Sequence, residues 1–187
     1  MTFAGLVPAV LLAGAAIAAE PTPENADRAA CMEGPIAQFG RYIGDWDIED
    51  EQLDSDGTHW NPGSGARWIF RCIGDGTAVQ DYWLPNKGGF GTNLRTYNPD
   101  TSSWEIVWTA KSLHGLTHIT ARQADDGSIV MNVLDPKPKP RRITFYPPTA
   151  DGWHWKMEWS FDDGKTWTEV YRIKATPHET VPSVLSD

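Results

Sequence analysis

The sequence lacks several features that mark common classes of protein. No apolar run reaches the roughly 20 residues that a membrane-spanning helix needs, and the most apolar stretch covers only residues 6–18. The chain contains no Gly-x-Ser-x-Gly step, no P-loop and no Gly-rich dinucleotide fingerprint. A serine hydrolase, a kinase or a dehydrogenase therefore has no support in the sequence.

Basic residues are scarce relative to acidic ones. The chain has 16 Lys and Arg against 25 Asp and Glu, a formal net charge of −9. Because affinity for nucleic acid depends on clustered Lys and Arg, the balance predicts no nucleic-acid partner. The one basic cluster, residues 137–142, is short and broken by prolines, which is typical of a solvated loop.

The N-terminus reads as a targeting segment. Residues 1–18 carry no charged side chain and end in Ala16-Ile17-Ala18, a small-x-small step followed by polar sequence. This pattern predicts a signal peptide over residues 1–18, export to the periplasm or the medium, and no stable membrane span after cleavage. The apolar run is not preceded by Lys or Arg, which leaves an uncleaved anchor as the alternative.

Cysteine is also scarce, with two residues in 187. In an oxidising compartment a pair of cysteines is more often bridged than free, so we predict a disulfide between Cys31 and Cys72. The alternative is that Cys72 is a small buried apolar residue on a strand face.

Tryptophan is abundant, at ten residues. Each indole buries a large area, so this number predicts a wide aromatic core, a ligand cavity, or both. From residue 45 onward the apolar period is two: Trp46, Ile48 and Asp50 alternate with acidic residues, as in a half-buried strand. Further strands, separated by turn residues, are predicted at 66–73, 77–84, 91–97, 104–109, 116–123, 128–134, 141–146, 153–161 and 166–174, and residues 53–65 are predicted to form a loop.

These ten strands follow one another without a helical crossover, which favours a meander. An open meander leaves two edges exposed, and closure removes both. We therefore predict an all-β fold, a closed antiparallel up-and-down barrel of about ten strands over residues 43–176. Residues 19–42 form a linker and a short helical plug, and residues 177–187 form a flexible tail. Ten strands leave room for a cavity, although a solidly filled core is the alternative.

Gly44-x-Trp46, together with Arg172 on the last strand, resembles the signature of the calycins, the lipocalin superfamily. The resemblance implies that Arg172 stacks over Trp46 at the closed end of the barrel. It favours pairing Trp153 with Arg172 in the last hairpin, whereas a one-residue slip would turn Arg172 outward. Residues 77–83, 94–99 and 104–108 are similar to a lipocalin-like bacterial family called domain of unknown function 1579. That likeness, over residues 40–175, implies a fold and little about activity.

Cofactor and metal sites have little support. Some related ten-stranded barrels, the nitrobindins, carry haem on a His, but the glycine pattern that follows their Trp is absent here. His114 and His118 have the spacing of a helical metal pair, yet Gly115 and the following strand disrupt that geometry. We predict neither a cofactor nor a metal site.

Binding of a small hydrophobic or aromatic molecule is the function that the sequence favours. In this hypothesis tryptophans line the cavity, polar side chains anchor the ligand, and Arg95 holds a carboxylate. The predicted ligand-binding residues are Trp68, Gln80, Tyr82, Arg95, Trp108, His118 and Trp155.

A cofactor-free isomerase, hydratase or lyase is the alternative. If the face of the strand that carries His118, Thr120 and Arg122 points inward, burial would favour neutral His118, which would suit a general base. Arg95 or Tyr82 would then polarise a carbonyl.

Overall fold

Period-two alternation sets the architecture of this protein, seen in a computed structural model that describes residues 28–134 and 139–179. The predicted signal peptide, most of the linker and the end of the tail lie outside these residues. A 3-10 turn (Gly34–Ile36) and one helical turn, α1 (Ala37–Gly40), precede the strands. The strands are β1 (Gly44–Leu53), β2 (Trp60–Pro62), β3 (Ala66–Ile73), β4 (Ala78–Pro85), β5 (Gly91–Asn98), β6 (Ser103–Ala110), β7 (Thr117–Gln123), β8 (Ile129–Val133), β9 (Arg141–Phe145), β10 (Trp153–Trp159) and β11 (Thr168–Pro177).

The sheet is closed. Each strand from β3 to β11 pairs with its neighbour in sequence, β3 pairs with the first half of β1, and β11 pairs along β1 from Trp46↔Pro177 to Gln52↔Tyr171. Ten strands therefore form a closed antiparallel up-and-down barrel, which confirms the predicted fold. Closure joins residues more than a hundred positions apart and leaves neither end strand as a free edge.

The predicted loop over residues 53–65 contains the eleventh strand, so that prediction is wrong in part. The short strand β2 pairs antiparallel with the end of β1, Leu53 opposite Trp60. The Asp54 amide donates to the His59 carbonyl at 2.9 Å and closes the turn between them. Because β1 extends beyond the start of β3, its last residues can take β2 as a partner instead.

One end of the barrel is plugged by the residues around α1. Phe39 and Tyr42 are fully buried there. The Phe39 ring meets Trp104 edge-on at 4.8 Å and Phe145 at 5.5 Å, while the Tyr42 hydroxyl donates to the Tyr146 carbonyl at 2.9 Å. We call this the plugged end, and the opposite end, where β1 finishes and β9 begins, the open end. No helix within residues 28–134 and 139–179 is long and apolar enough to cross a membrane.

A disulfide joins the plug to the wall. Cys31, ahead of the 3-10 turn, is bonded to Cys72 on β3, with a Cα–Cα distance of 5.8 Å. Both residues belong to the buried core. The bridge therefore holds the N-terminal segment against the barrel.

Arg172 does not stack on Trp46, so the contact implied by the calycin resemblance is wrong. Its guanidinium lies outside the barrel, 4.0 Å above the Trp60 ring and paired with Glu51 at 2.7 Å. Trp46 instead donates from Nε1 to the Tyr42 carbonyl at 2.8 Å and packs edge-on against Trp153 at 5.7 Å.

The register of the last hairpin explains this difference. Trp153 pairs with Ala175 and Lys156 with Arg172, three positions away from the favoured pairing. A bulge between Met157 and Glu158 reduces this offset to two positions, with Glu158 opposite Glu169. Tyr171 and Ile173 consequently point inward, and Arg172 points outward because successive side chains alternate across a sheet.

Candidate ligand cavity

A cavity of about 310 Å³ lies between the plug and the open end of the barrel. Its walls are largely aromatic and aliphatic, with a few polar side chains, and none of the described residues that line it is Asp or Glu. This volume is at the small end of the range for ligand pockets. The plugged barrel is therefore only partly filled.

Tryptophans from four strands form the walls: Trp68, Trp83, Trp108 and Trp155. Trp68 and Trp83 are directly opposite one another on β3 and β4 and meet edge-on at 5.1 Å. Trp155 meets Tyr171 edge-on at 5.5 Å. Edge-to-face contacts of this kind keep the rings in defined positions, so the walls are pre-formed.

Gly91 allows the Trp108 indole to approach the backbone of β5 closely. A Cβ on Gly91 would fall 2.1 Å from the indole of Trp108, which lies two residues from the Gly91 pairing partner Ala110 on β6. Glycine is therefore required by the close approach of the ring to the backbone. With a side chain at position 91, the indole would have to move into the cavity or the strands would have to separate.

Arg95 and Asp81 form a buried ion pair at the inner end of the cavity. Neither side chain is exposed, and Arg95 Nη2 lies 2.5 Å from Asp81 Oδ2. Asn93 supports the carboxylate with its backbone amide at 2.9 Å and its side-chain amide at 3.0 Å. The Arg95 guanidinium also lies over the rings of Phe39, Phe70 and Phe145, at 4.9, 5.3 and 5.8 Å.

In this environment Arg95 is part of the packed core that closes the inner end of the cavity. Its charge is matched by Asp81 and its faces are covered by aromatic rings. We expected Arg95 to hold a ligand carboxylate, but its side chain is 0% exposed in this arrangement. A ligand that enters from the open end meets the tryptophans before it reaches Arg95.

The polar lining nearer the open end comes from Thr117, Tyr171 and Arg141. The Tyr171 hydroxyl donates to Asp50 at 2.6 Å. Burial and this hydrogen bond to a carboxylate both raise the pKa of Tyr171 far above its usual value. Tyr171 is thus a neutral phenol whose proton is committed to Asp50, which leaves its oxygen as an acceptor.

Arg141 opens β9 and is half-buried at the rim. Its Nη2 is buried and makes no hydrogen bond within the described part of the chain. No ion pair of Arg141 is found among those residues either. The next residue, Arg142, points outward and makes a bidentate pair with Glu158 at 2.7 and 3.1 Å.

Four of the seven predicted ligand-binding residues line the cavity: Trp68, Arg95, Trp108 and Trp155. The other three lie on the outer face. Gln80 contacts Thr92 at 3.3 Å, and Tyr82 packs against Phe90 with 6.2 Å between ring centroids. Asp81 between them is the inward residue of β4, so alternation forces both neighbours outward.

His118 is exposed on the outside of β7, and the premise that its strand face points inward is wrong. It lines an outer groove together with Leu94 and Leu134, whereas Thr117 and Ile119 line the cavity. A base for a reaction inside the barrel must reach the substrate. His118 cannot do so from this face.

The cavity also contains residues that sequence reasoning missed, namely Trp83, Asn93, Arg141 and Tyr171. Trp83 could have been identified from the sequence, since it is the partner of Trp68 across the tight hairpin at residues 74–77. Arg141 was read as part of the solvated basic cluster. The inward orientation of Tyr171 depends on the register of the last hairpin, which the sequence did not determine.

An acidic cluster lies outside the barrel. Ligand atoms of Asp54, Asp56 and His59 lie within 4.8 Å of one another on the turn between β1 and β2. Asp56 and His59 are exposed, and hydrogen bonds to Asp54 and Thr58 hold the pKa of Asp56 below its usual range. These contacts hold the turn in shape, and none of the three residues lines the cavity.

The fold and the cavity together define a ten-stranded antiparallel barrel whose interior is only partly filled. The S-type phycobiliprotein lyase CpeS from Guillardia theta superposes with a TM-score of 0.56 at 9% sequence identity, covering 86% of this chain and 100% of that one. Rv2717c from M. tuberculosis gives a TM-score of 0.48 at 10% identity, covering 79% of this chain and 99% of its own. Neither a family model nor a curated protein matches the sequence.

Proposed function

We propose that the barrel binds a small hydrophobic or aromatic molecule in its tryptophan-lined cavity. The observation that carries this proposal is the 310 Å³ space between pre-formed aromatic walls in a barrel plugged at one end. An apolar pocket with sparse polar groups is the usual form of a small-molecule site. A solidly filled core would have left no such volume.

We propose in addition that the protein is exported and that it belongs to a lipocalin-like family. The leader pattern of residues 1–18 and the disulfide between Cys31 and Cys72 support a periplasmic or secreted protein, because such bridges persist in oxidising compartments. The segments at residues 77–83, 94–99 and 104–108 support a lipocalin-like protein of the domain-of-unknown-function 1579 type.

His118, the general base proposed for the enzymatic alternative, lies outside the barrel and cannot act on a substrate in the cavity. CpeS is by its name a phycobiliprotein lyase. A likeness at 9% identity extends to the fold and brings no activity to this chain. We therefore propose ligand binding as the function of the barrel.

A matched pair of substitutions tests the binding proposal. Val133 lines the cavity near the open end, and Leu134 beside it lies in the outer groove and is 58% exposed. Val133→Trp should fill the cavity and abolish the quenching of tryptophan fluorescence by a panel of terpenoids, fatty acids and aromatic compounds. Leu134→Trp adds the same fluorophore outside and should leave quenching unchanged.

Circular dichroism of both variants checks that the barrel remains folded. If no compound in the panel quenches the wild-type protein, or if Val133→Trp binds as well as Leu134→Trp, the cavity is not the binding site.

A further inference from the structure

The buried side-chain atoms of the cavity lining that have no hydrogen-bond partner among the described residues are all hydrogen-bond donors. Among residues that line the cavity, four buried nitrogens have no hydrogen-bond partner in the described chain: Trp68 Nε1, Arg95 Nε and Nη1, and Arg141 Nη2. No lining residue has a buried oxygen in that state within the same ranges. Because an unsatisfied buried donor is costly, the lining is suited to a ligand that brings acceptors.

The charges of the lining residues also favour a ligand that brings acceptors. Two arginines line the cavity, and none of the described lining residues is acidic. The charge of Arg95 is balanced by Asp81 at 2.5 Å. Arg141 makes no ion pair within residues 28–134 and 139–179, and the Asp50 carboxylate near the end of β1 accepts hydrogen bonds from the Tyr171 hydroxyl and the Gly65 amide.

We propose that the ligand is a small carboxylate, with its acid group on Arg141 at the open end and its apolar body among the tryptophans. This inference rests on the proposed binding function and names the class of ligand. Arg141 is the anchor because it is half-buried and has no ion-pair partner among the described residues, whereas Arg95 is fully buried and paired. Planar guanidinium groups match carboxylates in geometry and form charge-assisted hydrogen bonds.

Size restricts the apolar body. The cavity of 310 Å³ equals the volume of about ten liquid water molecules. A one-ring or two-ring aromatic acid or a short aliphatic acid suits that space. The indoles of Trp68, Trp108 and Trp155 line this space and can contact an aromatic ring.

The test compares naphthalene carboxylate with naphthalene carboxamide, which have nearly the same shape and differ in charge. By isothermal titration calorimetry the carboxylate should bind wild-type protein about tenfold or more tightly than the amide, as expected for hydrogen bonds to a charged group. Added salt should weaken only the carboxylate.

Arg141→Gln should remove this preference and leave the amide affinity unchanged, while Arg141→Lys should keep part of it. The control is Arg122→Gln, which makes the same change of charge at an exposed position on the outer face of β7 and should retain the wild-type preference. Circular dichroism confirms that each variant is folded.

Equal binding of acid and amide to the wild-type protein, or an unchanged preference in Arg141→Gln, would overturn the carboxylate inference and leave cavity binding intact. If neither naphthalene compound binds, both the inference and an aromatic ligand are rejected.

Discussion

Replacing Asp81 by Asn removes the negative charge opposite Arg95 where neither side chain is exposed. A guanidinium keeps its charge in proteins, so the variant buries an arginine cation without a counter-ion. Breaking a buried ion pair in this way costs about 3–5 kcal/mol. Three aromatic rings within 6 Å of the guanidinium carbon offset part of that cost, which places the expected loss near 3 kcal/mol, about the lower limit.

An exposed pair of the same chemistry provides the control. Glu51 and Arg172 are 2.7 Å apart, with side chains that are 42% and 43% exposed. Glu51→Gln should cost less than about 1 kcal/mol, as exposed ion pairs do. Urea unfolding of the oxidised protein, followed by tryptophan fluorescence, measures both variants. A loss near 3 kcal/mol corresponds to a fall in Tm of about 6–12 °C for a protein of this size.

A double variant separates the lost attraction from the penalty of the remaining charge. Asp81→Asn combined with Arg95→Met leaves no buried cation and should be more stable than Asp81→Asn alone. The reasoning is refuted if Asp81→Asn costs no more than Glu51→Gln, or if adding Arg95→Met makes the protein less stable still.

Three further predictions concern the bridge, the cavity wall and acid stability. Removing the disulfide by Cys31→Ala with Cys72→Ala should lower the free energy of unfolding by about 4 kcal/mol for a sequence separation of 41, measured in denaturant against the oxidised wild type; an equal midpoint would contradict it. Gly91→Ala should force the Trp108 indole away from β5, change the near-UV circular dichroism and cost about 1–3 kcal/mol, whereas an unaltered spectrum would show that the ring is not held there. Burial acts to raise the pKa of Glu158, but hydrogen bonds to its two cationic partners outweigh it and hold the pKa below the usual 4.5. The resulting stabilisation is complete above that value and is lost as pH falls through the folded-state pKa. Glu158→Gln should therefore flatten the acid side of the stability profile, and a profile parallel to the wild type would exclude this role.

The strands could be predicted closely because their signals are local. Residues 66–73 form β3 as predicted, and the hairpin that follows turns on Gly74 and Gly76, whose φ angles of +61° and +84° suit glycine. The closed topology also followed from sequence, since a meander of ten strands without crossovers can hide its edges only by closing.

The site was less predictable because a period of two does not say which face is inward. Along β7 one face carries Thr117, Ile119 and Ala121 and the other carries His118, Thr120 and Arg122. Because a barrel that binds a ligand can have a polar face inside, the sequence left His118 compatible with either orientation. The partner strands decide: Ile119 pairs with Ile106 and Val133 and points into the barrel with them. That information is spread over three strands.

The sequence by itself determined the order of the strands, the closed barrel and the aromatic character of its interior, because propensity, alternation and turn chemistry act over a few residues. Tertiary structure decided that Arg95 is buried while Arg172 stays outside on Trp60, and that Arg141 reaches the rim of the cavity. These outcomes depend on the register of strands that meet only when the barrel closes, and a shift of one residue reverses every side chain.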